Sequence, residues 1–254
     1  MADILTKDIM RKIIGNNNAD NYIEHLNKYM LDYEINTLPR IQFFIAIACG
    51  ETGGFHRLDE NMNYSSADNI KKVFKNISFQ NEDMSQYISN PQNLGNKVYG
   101  GKYGNNTIND GWDFRGGGLF QLTFRGNYQA FANSIGGGTQ ADDLIQPGNE
   151  YCVREIKGAV HSACFYVKNR GILPEADKNT TESFITACRK VGACPDGTNY
   201  GKKRDYWKRC KAYIGGNGII DLNNENTSTN TQYSFLIPSG LNVFLEAKKQ
   251  KKSR

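Results

Sequence analysis

Glu51 and, nine residues later, the pair Asp59-Glu60 are carboxyls whose placement suits acid–base chemistry. Glu51 ends an apolar run, IQFFIAIACGE, and is followed at once by Thr52-Gly53-Gly54. Ile41, Phe44, Ile45, Ala48 and Cys49 recur at helical spacing, and the run is apolar nearly all round, which predicts a buried helix. Gly53-Gly54 supplies the left-handed conformation that ends such a helix. Glu51 is thus expected in the last turn, where the helix dipole is negative and the surroundings are dry. Both conditions favour a protonated carboxyl, which a general acid requires. Asp59 and Glu60 lie in a polar segment, DENMNYSS, where water keeps a carboxylate ionised and able to act as a base. Two carboxyls in unlike surroundings form the working pair of glycoside hydrolysis. The same residues also fit a plainer description, with Glu51 capping an element or pairing with an arginine and Asp59 and Glu60 as solvated charges. Spacing alone favours that description.

The elements that would position these groups read mainly as helices. The pattern predicts two helices over residues 5–35, broken at Gly15-Asn16-Asn17-Asn18, with Pro39 in the first turn of the apolar helix. A short helix is expected at Ser66–Phe74 with Ala67, Ile70, Val73 and Phe74 inward, and others at Tyr128–Ile135, Glu155–Asn169, Thr181–Val191 and Arg204–Ile214. Tyr99–Gly111, rich in Gly and Asn, reads as a surface loop of a length often functional. Leu119–Thr123 reads as a short strand with Gln121 and Thr123 on one side. His161 lies off the apolar stripe of its helix and reads as structural. No internal repeat is present.

The 254 residues are enough for one large domain or two lobes, and 39% apolar with 22% charged residues fits a globular protein. The net charge of +5 is concentrated in Glu246–Arg254, which carries +4, so the body shows no basic patch for nucleic acid. No run approaches the ~18 apolar residues of a membrane helix, and no secretory signal is visible. Synthesis in the cytoplasm is expected, and a target outside it would need delivery by something other than a signal peptide. Six cysteines are present, without a CxxC pair, so a zinc site is not expected and free thiols are. No metal or cofactor is called for. Residues 215–234 read as a polar linker, and the apolar and basic end that follows as an extension able to dock on a partner or wall polymer.

Four ordered stretches resemble glycoside hydrolase family 19, which includes plant-type chitinases and, closer to this chain, a compact bacterial and phage endolysin branch. They are ETGGFHRLDENMNYS (51–65), NKVYGGKYGN (96–105), DGWDFRGGGLFQLTFRGNY (110–128) and, more loosely, SACFYVKNRGILPEAD (162–177). The resemblance covers roughly residues 38–214. It implies a mainly α, two-lobed, lysozyme-like fold with an active-site groove between the lobes, in a catalytic domain spanning 1–214. It also implies hydrolysis of β-1,4 bonds at N-acetylglucosamine-type sugars, with inversion. By position Glu51 matches the general acid, Glu60 the general base, and Thr123 the hydroxyl that holds the attacking water. Gln121, Asn127 and Tyr128 match sugar contacts, and Tyr99 and Arg115 groove-lining positions. The family's late Asn-Gly-Gly turn is missing at Val191-Gly192-Ala193-Cys194, with Asn199 as a candidate replacement, and Arg204 matches loosely a late arginine that supports the acid. The implied reading is a monomeric lysin cleaving peptidoglycan, made in the cytoplasm and reaching the cell wall through a holin, a virion or a secretion system. A chitinase, or an inactive glycan-binding protein on the same scaffold, are the competing ones.

Overall fold

In the computed structural model, residues 4–192 and 198–216 are described. They form helices α1 (Lys7–Ile14), α2 (Ile23–Asp32), α3 (Leu38–Thr52), α4 (Ala67–Val73), α5 (Pro91–Tyr99), α6 (Asp110–Asp113), α7 (Arg125–Ile135), α8 (Ile156–Asn169), α9 (Leu173–Lys178), α10 (Thr181–Lys190) and α11 (Thr198–Tyr213). Pairing of β type among the described residues is confined to isolated bridges joining Gly117 to Asp59 and to Leu122. The mainly α expectation therefore holds.

Local chemistry sets the helix limits. Thr6 caps α1 through its side chain, and Gly15 closes that helix in the left-handed conformation. Pro39 lies in the first turn of α3, and Gly53, at φ +65°, closes it. Between those ends nearly every side chain of α3 is buried, Ile41 through Cys49 without a break. A helix apolar all round must be surrounded, and α11, α9 and α10 pack against it.

Buried side chains fall into two clusters, as a two-lobed body requires. The larger surrounds α3 and takes in Phe43, Phe44, Phe120, Phe131, Phe184 and Trp207. The smaller gathers Met62, Ile70, Phe74, Phe79, Leu94, Val98, Tyr99 and Phe124 under α4 and α5.

Several sequence expectations need correction. Residues 119–123 are not a strand. Gln121 and Phe124 both have positive φ, +51° and +73°, and Gly117 pairs back onto Leu122 across a tight turn. Helix α5, for which the sequence pattern named no element, is fixed by the Asn90 cap and Pro91. Val73, expected inward, is 42% exposed because the helix ends at that residue. Cys49, Cys152, Cys164, Cys188 and Cys210 are free, buried thiols, as expected. Cys194, the Ala193 end of the altered turn, the side chain of Asn199 and the extension beyond residue 216 lie outside the described residues.

Candidate active site

The end of α3 leads directly into the candidate site. Thr52 donates its hydroxyl to Ala48 O and accepts from Phe55 N, which folds the chain back after the helix. The returning strand then docks on the glycine loop. Gly118 N donates to Leu58 O at 2.7 Å, and Glu60 N to Gly116 O at 3.0 Å.

This ladder places the Glu60 carboxylate against Gly116, whose N–H donates to Oε2 at 3.1 Å, while Tyr99 donates its hydroxyl to Oε1 at 2.7 Å. Gly116 is needed for lack of volume. A Cβ there would lie 2.8 Å from Gln121 Oε1 and 3.1 Å from Glu60 Oε2. Burial pushes the Glu60 carboxyl above the usual carboxylate range, and the bonds from Tyr99 and Gly116 only partly oppose it. Glu60 is half-buried between exposed neighbours, and Tyr99 and the glycine loop close over its carboxylate, so that group is less open to water than the polar segment around it suggests.

Glu51 is also enclosed, but with a partner. Its carboxylate lies 2.7 Å from Lys203 Nζ, and the two side chains are 4% and 0% exposed. Gly50 makes this possible, since a Cβ there would meet Lys203 Cγ at 2.2 Å. The dry setting is as expected, but the counter-charge comes from Lys203 and not from an arginine. The supporting cation is Lys203. Arg204, next in sequence, faces Asp205 at 3.8 Å. Sequence reasoning missed Lys203, although a signal was present. Lys203, Trp207, Cys210 and Ile214 recur at helical spacing and are all buried, so a cation sits on the apolar stripe of α11 and demands a carboxylate.

The other named residues mostly brace the site. Gln121 donates its amide to Gly118 O and directs Oε1 toward Gly116. Thr123 is 1% exposed and donates its hydroxyl to Gln121 O, so it stiffens the turn instead of facing water. Asn127 donates to Thr123 O. Tyr128, expected at a sugar, is fully buried and donates to Arg115 O, holding the glycine loop from beneath. Tyr99, expected to line a groove, is buried with only its hydroxyl spent on Glu60. Arg115 lies 3.5 Å over the Trp112 ring and pairs with Asp59 at 2.6 Å; Arg154 reaches Asp59 from the other side at 2.9 Å. Asp59 thus joins two arginines beside Glu60. His161 stacks on Tyr29 at 4.2 Å and meets the Tyr33 hydroxyl at 2.9 Å, a structural place as expected.

A cavity of about 510 Å³ opens on the Glu51 side. It is lined by the last turn of α3, by Arg57, and by Lys202, Asp205, Tyr206 and Arg209 of α11. None of the residues around Glu60 lines it. Glu51 and Glu60 share no hydrogen-bond partner among the described residues. No cluster of potential metal ligands occurs among the described residues, and no described helix is long and apolar enough to cross a membrane.

No family model matches the chain. Over 113 residues it is 33% identical to a glycosyl hydrolase family 19 domain-containing protein of Haemophilus influenzae, covering 43% of this chain and 55% of that protein. The chain thus spans about half the length of the curated relative that it matches. The crystal structure of chitinase C from Streptomyces griseus HUT6037 is similar in fold, with a TM-score of 0.51 at 13% identity, over 85% of this chain and 78% of that one. The motifs had pointed the same way: the chain is similar to glycoside hydrolase family 19 in sequence over part of its length, and over most of it the helices are arranged as in a chitinase.

Proposed function

We propose that this chain is a glycoside hydrolase that cleaves the β-1,4 backbone of peptidoglycan strands with inversion, with Glu51 as general acid and Glu60 as general base. The observation that carries the reading is the contrast between the two carboxyls, Glu51 against the Lys203 ammonium and Glu60 desolvated between Tyr99 and Gly116. A base works best with a proton affinity close to the working pH, and burial moves Glu60 in that direction. Tyr99 and Gly116 fix the carboxylate's orientation, so its free lone pairs face one place for water. To act as the acid, Glu51 must hold a proton when the sugar is bound; as that proton passes to the leaving oxygen, the Lys203 ammonium stabilises the carboxylate that remains and with which it pairs between turnovers. Inversion needs room for a water between base and sugar, met in general by carboxyls ~6.5–9.5 Å apart.

Digestion of purified peptidoglycan and chitin side by side, with mass spectrometry of the fragments, tests the substrate. Product from chitin only would remove the peptidoglycan reading. Proton NMR of the first product anomer tests inversion. Glu51→Gln should lower the rate by at least about 10²-fold, the usual scale of acid catalysis, and a smaller loss would favour a glycan-binding protein. The fold similarity to a chitinase favours chitin as the second reading.

A further inference from the structure

The cavity beside Glu51 is unlike a site for a neutral polymer. Positions 202, 205, 206 and 209 share one face of α11, beside the face that carries the buried Lys203, and α3 closes the cavity from behind. Three of the lining side chains are cationic, namely Arg57, Lys202 and Arg209. Arg57 and Lys202 are exposed and pair with no acid among the described residues. Arg209 gives one Nη1 bond to Ile13 O at 3.0 Å and keeps the rest of its fork. The Glu51 carboxylate, which also lines the cavity, does not offset these charges, because the Lys203 ammonium already balances it. Like charges gathered around a concave wall raise the local concentration of anions. Asp205, the remaining acid, is 64% exposed and can accept from an amide or ammonium N–H.

We propose that this cavity seats the carboxylate-bearing peptide substituent of a glycan strand, next to the bond that Glu51 protonates. The inference rests on the glycosidase reading and extends it to the choice of substrate. Arginine and lysine side chains grip the peptide carboxylates, and Asp205 takes a peptide N–H. A plain N-acetylglucosamine polymer has no group for three cations. A phosphate polymer has none for Asp205, and repels it. The volume of about 510 Å³ lies within the ~300–1,000 Å³ range of small-ligand sites, enough for a short peptide.

Calorimetric titration of the full chain with soluble disaccharide–peptide fragments, in free-carboxyl and amidated forms, tests this. The free-carboxyl form should bind about 10-fold more tightly at low salt, and the preference should shrink as salt is raised. In the double variant Arg57→Gln, Lys202→Gln the ratio should fall to about one. Equal binding of both forms by the unaltered chain would overturn the proposal. So would an undiminished ratio in the double variant, or tighter binding of a glycerol-phosphate oligomer. Hydrolysis is read separately, on intact strands. A chain that binds with the expected ratio but cuts nothing refutes the hydrolase reading and leaves the pocket assignment standing.

Discussion

Removing Lys203 is the sharpest perturbation the structure offers. Lys203→Met keeps the stem that lies against Gly50 and deletes only the ammonium. The partner left behind is a carboxylate with a side chain 4% exposed, at the end of a helix whose dipole is also negative. Breaking a buried pair from one side costs about 3–5 kcal/mol, since the remaining charge is neither solvated nor compensated. At ~2–4 °C per kcal/mol for a domain near 200 residues, the midpoint should fall by roughly 6–20 °C. Thermal and urea unfolding followed by circular dichroism would read this. Glu51→Gln alone should also destabilise, because it strands the ammonium. The double variant Lys203→Met, Glu51→Gln should recover much of the loss, with a coupling energy of at least ~1.5 kcal/mol. A single-variant loss below ~1 kcal/mol, with additive effects in the double, would refute the account of a mutually dependent buried pair.

Other predictions concern the base, the glycine loop and the core. As the proposed base, Glu60 has to be ionised, so the acid limb of kcat/KM should lie above the ordinary carboxylate value of about 4.3, and Tyr99→Phe, which removes a bond to the charged form, should move the limb higher still. A downward shift would contradict that role for Tyr99. Gly116→Ala should cut kcat at least about 10-fold while the fold persists, because the new Cβ collides with Gln121 Oε1 and crowds Glu60; unchanged kcat would show that the loop gives way. Burial, helped by Lys28 and Lys157, pulls the His161 imidazole down to about 4. The folded state thus stays neutral where the unfolded chain, at its ordinary value of about 6.5, takes up a proton. Stability should therefore fall as pH drops from about 6.5 toward 4, by roughly 1–2 kcal/mol once partial solvent access is allowed for. Urea titrations across that range should show the slope in the native chain and its loss in His161→Phe; equal slopes would reject it.

What the sequence disclosed follows from how local each signal is. The α3 run and its Gly53 stop are properties of neighbouring residues, and they placed Glu51 in the last turn correctly. The partners of each carboxyl are not local. Lys203 lies on the last described helix and Tyr99 in the smaller core, so nothing near Glu51 or Glu60 in the chain announces them. Polarity of the flanking residues suggested water around Glu60, and Asp59, Asn61 and Asn63 are indeed exposed, yet the Glu60 carboxylate itself meets a glycine loop some fifty-five residues later. The supposed strand at 119–123 failed for a related reason. Polar and apolar residues alternate there, but positive φ at Gln121 and Phe124 turns the backbone back on itself, and Thr123 ends up buried where Gln121 does not. Asn127 and Tyr128 were rightly grouped with that turn, and only the direction they face was lost.

Tyr99 is rooted in the smaller core, where its ring meets Phe124 at 5.5 Å, yet its oxygen ends on Glu60. The smaller core thus reaches the Glu60 carboxylate through one phenol, so a substitution that reseats that ring against Phe124 carries over to the donor on Oε1. Under the proposed mechanism, the aim of the base then depends on packing set by residues far from it in the sequence.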